Sequence, residues 1–195
     1  FVPLCRINYL SLTSATVCIA NITDIVNKDA NNTLTNIVNG CLVVPNTIAV
    51  RPQAWLEGPY NSTTQLMRDD LRVAGLIPTN EPYAGLGFTH ASGGGGEQIG
   101  SGVLNATGNN AIVDWVFVEV RNASSPYAVI ATRSALLQRD GDIVGTDGTS
   151  PVLLQVAPGS YNLALRHRNH FGVMTGSVVA LGSVTVTVDF RSTQT

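Results

Sequence analysis

Ile112-Val113-Asp114-Trp115-Val116-Phe117-Val118-Glu119-Val120 decides the fold. A strand with one face in water alternates apolar and polar side chains, because successive residues point to opposite faces. This stretch is apolar at odd and even positions alike, interrupted by Asp114 and Glu119. It therefore predicts a central strand covered on both faces. Its β-branched and aromatic side chains suit a pleated surface better than a helix, where their χ1 freedom is restricted.

Outward from this strand, residues 128–137 and 152–156 read as further strands. Turns at Arg139-Asp140-Gly141-Asp142 and Asp147-Gly148 separate them. Beyond Pro158-Gly159, Tyr161, Leu163, Leu165 and His167 alternate with Asn162, Ala164, Arg166 and Arg168. Val184, Val186, Val188 and Phe190 then alternate with Thr185, Thr187 and Asp189, giving one apolar and one polar face. Short strands at this rhythm predict an all-β chain folded as an antiparallel β-sandwich, immunoglobulin-like or transthyretin-like. Trp115, Phe117, Val118, Tyr161, Leu163, Leu165, Val186 and Val188 are its expected interior. At most one short helix is expected, near 66–74, with Leu66, Met67, Leu71 and Ala74 toward one side.

The chain is read as two parts: an N-terminal β-rich segment, 1–50, and a sandwich module, 51–195. Strands are expected at 16–26, 41–44 and 48–50 in the first part and at 54–56 in the second. Cys5, Cys18 and Cys41 all lie in the first part. Three thiols allow one disulfide with one cysteine left over, or three buried reduced side chains. The spacings contain no C-x-x-C pair, which argues against zinc. The chain opens on Phe1 with no basic-then-apolar leader, so either a signal peptide has been removed or the chain is a fragment.

Composition narrows the function. The 195 residues are 44% hydrophobic and 12% charged, with a net charge of −2; soluble domains average about 25% charged. So small a net charge gives no general attraction to nucleic acid or to an anionic membrane. No apolar run approaches the ~18 residues that a spanning helix requires, so no membrane insertion is expected. The uncharged surface is of the kind found outside cells and inside assemblies.

The chemistry-bearing residues are sparse. His167 and His170, with His90 as a third ligand, suit a metal by residue type. On a continuous strand, however, an offset of three puts them on opposite faces, so joint ligation requires the strand to end near Arg168. A hydrogen-bonded cluster joining Arg166 or Arg168 to Asp114 or Glu119 is the stronger expectation. Asp140, Asp142 and Asp147 in a Gly-containing loop are calcium-ligand candidates, without EF-hand spacing; otherwise no cofactor is expected. Gly93-Gly94-Gly95-Gly96 lacks the spacing and lysine of a phosphate loop and reads as a loop or a close backbone passage. With no G-x-S-x-G elbow and no specified carboxylate pair, no enzymatic activity is expected. Trp55, Tyr60, Tyr83 and Tyr127 are candidates for stacking on sugar rings, whereas Trp115 is expected in the core. Sequons occur at Asn21, Asn31, Asn61, Asn105 and Asn122.

Two resemblances extend this reading. Asp147-Gly148, the strand at 152–156, Ala157-Pro158-Gly159 and Tyr161-Asn162-Leu163-Ala164-Leu165 resemble the transthyretin-like sandwich of collagen-adhesin B-type repeats. Leu56-Glu57-Gly58-Pro59-Tyr60, Gly108-Asn109-Asn110-Ala111-Ile112-Val113-Asp114-Trp115-Val116, Ala131-Thr132-Arg133-Ser134-Ala135-Leu136-Leu137-Gln138-Arg139-Asp140-Gly141-Asp142 and Arg166-His167-Arg168-Asn169-His170-Phe171-Gly172-Val173-Met174-Thr175 are similar to a module of large secreted surface proteins of Bacteroidota. That likeness covers about residues 51–190 and supplies no catalytic residues. It implies a secreted, cell-surface protein with a structural or adhesive role. The expected function is that of an extracellular structural or adhesive protein, a filament subunit whose copies join by β-strand addition. Residues 1–50 or the strand 184–190 would be the donor, and the principal partners would be copies of itself. The alternative is a carbohydrate-binding module with an extracellular glycan as partner.

Overall fold

A computed structural model of the chain describes residues 15–19, 40–44 and 46–191. The chain divides into two compact units, Phe1–Asn46 and Thr47–Thr195. In the first, β1 (Ala15–Ile19) pairs antiparallel with β2 (Gly40–Val44), from Ala15 opposite Val44 to Ile19 opposite Gly40. The rest of the strand expected at 16–26 lies outside the described residues.

The second unit starts ahead of the boundary expected at 50/51, because β3 (Ile48–Gln53) crosses it and buries Ile48 and Val50 in the sandwich. After β3 come β4 (Tyr60–Asn61), β5 (Leu66–Met67) and α1 (Asp70–Val73). The long strands β6 (Ile112–Arg121) and β7 (Val129–Gln138) are followed by β8 (Ile143–Val144) and β9 (Val152–Leu154). The chain continues through β10 (Gly159–His167), β11 (His170–Met174), β12 (Val179–Leu181) and β13 (Val186–Asp189). The larger sheet has the order β11-β10-β6-β7-β8, with β12 also on β10; the smaller has the order β13-β3-β9. The protein is an all-β sandwich with one short helix among the described residues.

One pairing departs from the antiparallel expectation. β13 runs parallel to β3, with Val186 opposite Val50 and Asp189 opposite Gln53. The other face of the β3 ladder is used by β9 as far as Val50. Pro52, which has no N–H to give, therefore sits beyond the end of β9, where it costs the sheet nothing. The helix is also shorter than expected. Gln65 turns the chain at a positive φ of 55°, and Leu66–Met67 then pairs with Tyr60–Asn61 as a small ladder that buries Met67. Residues 54–56 form no strand.

β6 is buried along almost its whole length. Val116, Val118 and Val120 enter the core between the sheets, with Leu163, Leu165, Val50, Val152 and Leu154. Trp115 and Phe117 point the other way, into a second core with Ile77, Tyr83, Ile112, Leu136 and Val144. Among the described residues no third sheet covers that face. It is covered by the largely irregular segment 70–110, which contributes Leu71, Phe88, Ile99, Val103 and Leu104. Specific hydrogen bonds hold the segment down. Trp115 Nε1 donates to Pro78 O at 2.9 Å, and the Tyr83 hydroxyl donates to Trp115 O at 2.8 Å. The glycine run is a close passage at Gly94, where a Cβ would collide with the backbone carbonyl and side-chain hydroxyl of Thr132. Of the expected interior residues, Tyr161 and Val186 are half-buried and the other six are buried.

Trp115 is fully enclosed and fastens the overlay to the sheet, so Trp115→Ala should lower unfolding stability by about 3–5 kcal/mol. Urea denaturation followed by far-UV circular dichroism measures this; a loss below about 1 kcal/mol would show that the outer core contributes little.

Candidate functional site

The densest polar cluster forms where β10 gives way to β11. The strand ends at His167, Arg168 and Asn169 make the turn, and His170 returns opposite His167. The two histidines are thus cross-strand neighbours, and the condition that the strand end near Arg168 is met. His167 Nδ1 accepts the Asn169 backbone N–H at 3.1 Å and lies 3.0 Å from His170 Nδ1. That acceptor role fixes the proton of neutral His167 on Nε2, which faces Asp114 Oδ2 at 3.1 Å. His170 Nδ1–H then donates to His167, completing an Asp114–His167–His170 chain. Asp114 also pairs with Arg168 Nη2 at 2.8 Å and accepts the Trp115 N–H at 2.8 Å. Arg166 contacts Glu119 Oε1 at 3.3 Å, and Arg121 holds the other carboxylate oxygen. These contacts are the Arg-to-carboxylate links expected from the sequence.

His90 does not join the histidine pair. Its ring packs on Phe117, its nitrogens have no hydrogen-bond partner, and its Nε2 lies 3.7 Å from Glu81 Oε1. Among the described residues no group of three or more His, Cys, Asp or Glu side chains is placed to hold a metal ion. The three calcium candidates serve local structure. Asp147 accepts the Thr149 and Ser150 N–H groups and the Ser150 hydroxyl. Those bonds, the Ser150 hydroxyl foremost, hold its carboxyl below the ordinary value. Asp142 accepts from Gln53 Nε2 at 2.6 Å, and Asp140 accepts the Asp142 N–H at 3.2 Å.

β11 is the outermost strand of the larger sheet. Its register against β10 shifts between Leu165 and His167, and Phe171 is 101% exposed. Val173 and Met174 are 46% and 41% exposed. Thr175 N donates to Leu163 O, so by ladder alternation the backbone polar groups of Met174 face away from β10. His170-Phe171-Gly172-Val173-Met174 contains no Lys, Arg, Asp or Glu. The sequence pattern predicts no strand here; the Phe171-x-Val173 alternation after the Arg168-Asn169 turn is its one signal.

Two clefts lie on the surface of the described residues. One, of about 580 Å³, is lined by Trp55, Tyr60, Gln65, Asn109, Asp140 and Arg191. Trp55 and Tyr60 pack with centroids 4.7 Å apart, and the Arg191 guanidinium lies 5.4 Å from the Trp55 ring centre. Tyr83, expected among the sugar-stacking rings, is instead fully buried. The other cleft, of about 450 Å³, contains Leu86, Phe88, Val129, Arg121 and Arg166, with the Arg166 guanidinium 4.3 Å over the Phe88 ring. Of the sequons, Asn61, Asn105 and Asn122 are exposed, and Asn21 and Asn31 lie outside the described residues, as does Cys5. No helix among the described residues is long and apolar enough to cross a membrane. Comparison of the chain with family models, curated proteins and solved structures finds no match.

Burial, and next the adjacent His167, hold the His170 pKa below its ordinary value of 6.5, with Asp114 opposing. A histidine with a depressed folded-state pKa favours the fold while neutral, and this contribution is lost as pH falls from 6.5 through the lower folded value. Acidification from about pH 7.5 to about pH 5 should therefore lower the Tm of the wild type more than that of His170→Asn. Equal losses in scanning calorimetry would remove His170 as the source.

Proposed function

We propose that this protein is an extracellular structural or adhesive module, a filament subunit that joins copies of itself by β-strand addition at β11. The carrying observation is the five-residue edge strand with a fully exposed Phe171 and no charged residue. Natural edges are usually short, covered or studded with charge, since unpaired backbone groups recruit other strands. A second copy is the occupant argued for. Edge pairing recognises backbone, which every copy supplies, and a net charge of −2 raises little repulsion between copies. The strand 184–190, one of the two donor candidates, is engaged with β3 in its own subunit through β13. The N-terminal segment is left as the donor. Residues 1–14 lie outside the described residues, and the segment is assigned from its apolar sequence, Ile7-Asn8-Tyr9-Leu10-Ser11-Leu12. Head-to-tail addition does not close on itself and so gives a filament. Three exposed sequons, Asn61, Asn105 and Asn122, fit an extracellular setting.

Phe171 contacts nothing it would have to leave, so Phe171→Asp should abolish self-association while Tm stays within a few degrees. Sedimentation velocity with negative-stain microscopy reads both species. A wild type that stays monomeric at high concentration, or a variant that assembles equally well, overturns the proposal. Deleting residues 1–14 should also stop growth; pairing that persists as a closed dimer would assign the contact to two β11 strands.

The cleft at Trp55 and Tyr60 favours a second reading, a carbohydrate-binding module. An aromatic ring beside Asn, Asp and Arg suits a sugar, which offers an apolar ring face and peripheral hydroxyls. On a glycan array, binding by the wild type should be lost in Tyr60→Ala. No glycan bound by the wild type would remove this reading.

A further inference from the structure

We propose that Cys18 and Cys41 form the protein's disulfide, and that Cys5 is the cysteine left over. The two residues are opposite each other on the antiparallel β1–β2 ladder. The register is continuous on both sides, with Val17 opposite Leu42 and Ile19 opposite Gly40, so no bulge displaces the pair. Directly opposed residues on such a ladder share a face and have Cα atoms about 4.5 or 5.5 Å apart, depending on the pair type. Both spacings fall inside the approximately 4.4–6.8 Å range that a disulfide bridges without backbone movement.

The size of the unit gives a second, independent reason. Phe1–Asn46 is a compact unit of its own. Units near 40 residues rarely bury enough apolar surface to hold together unaided, and a two-stranded ladder alone is marginal in water. A bond between Cys18 and Cys41 ties the ends of the polar connection between β1 and β2, which contains Asn27-Lys28-Asp29-Ala30-Asn31-Asn32. The bond removes chain entropy from the unfolded state of this small unit.

In the chemical step, the thiolate of one cysteine attacks a disulfide of a thiol–disulfide oxidant and displaces one of its sulfurs as a thiolate. The second cysteine thiolate then attacks the mixed disulfide. One S–S bond forms in the protein and one is lost from the oxidant. The two cysteine thiols together give up two protons and two electrons, and the oxidant leaves as a dithiol.

The sequence makes the pairing directly readable. Trypsin cuts after Arg6, Lys28 and Arg68, while the Arg51–Pro52 bond resists, so each cysteine falls on a separate peptide: 1–6, 7–28 and 29–68. The full chain, produced in an oxidising compartment, is alkylated before non-reducing digestion and mass spectrometry, with any N-glycan removed enzymatically. The expected result is a linked 7–28/29–68 pair and an alkylated 1–6 peptide. Thiol titration should then find one free thiol in the wild type, two in Cys18→Ser and none in Cys5→Ser. A linkage that includes peptide 1–6, or three alkylated cysteines, overturns the assignment.

Discussion

The burial of β6 on both faces is the constraint on which the rest of the structure depends. One face is met in the ordinary way, by the smaller sheet across the sandwich core. The other carries Trp115 and Phe117 and would be a large apolar patch if left open. The chain covers it with residues 70–110, which contain one four-residue helix and two single 3-10 turns. An irregular cover of that length forgoes ladder hydrogen bonds, so its backbone groups need particular partners. Glu81 supplies several. Its carboxylate accepts the Tyr83 and Ala84 N–H groups and the Ser134 hydroxyl on β7. Tyr83 reaches the sheet from the same turn, through its ring and its hydroxyl.

Covering both faces also encloses charge. Asp114, Glu119 and Glu81 are all buried, and a buried carboxylate without partners costs several kcal/mol. The partners are chiefly arginines, as Arg168 on Asp114 and Arg121 with Arg166 on Glu119 show. Ten of the eleven basic residues are arginine, with Lys28 the exception. A planar guanidinium can bond a carboxylate through several donors and still lie over an aromatic ring, as Arg166 does on Phe88. Among the described residues, Arg121, Arg166 and Arg168 are thus committed to carboxylates buried in the fold.

The central strands were legible because burial on two faces writes itself into composition at every position. β10 was legible from its alternation. The overlay was not, since a hydrogen bond such as Trp115 Nε1 to Pro78 O leaves no periodic trace. That is also why Tyr83 read as a loop aromatic free to stack on a sugar. The histidine pair was legible as residues but not as geometry, because its meeting depends on a two-residue turn at Arg168 and Asn169. The acidic trio read as one site from proximity in sequence, yet each carboxylate is taken up by a nearby donor. β11 was missed because five residues interrupted by Gly172 carry too weak a pattern.

The edges of the sandwich differ in how they are protected. β8, at the far end of the larger sheet, has two residues, and β9, at one end of the smaller sheet, has three. Short edges of this kind offer little template for pairing. β13 is longer but carries Asp189, whose carboxylate is held by Arg191 beside it. β11 has neither protection, and the cluster at its start works against its retreat. His170 is fixed to His167, His167 to Asp114, and Asp114 to Arg168. The strand is therefore held in place at the sheet margin with its apolar side chains outward, instead of being free to fold back over them. Holding an apolar edge extended is costly for a protein that works alone. In one that binds other copies, it means the ordering entropy has already been met before the partner arrives.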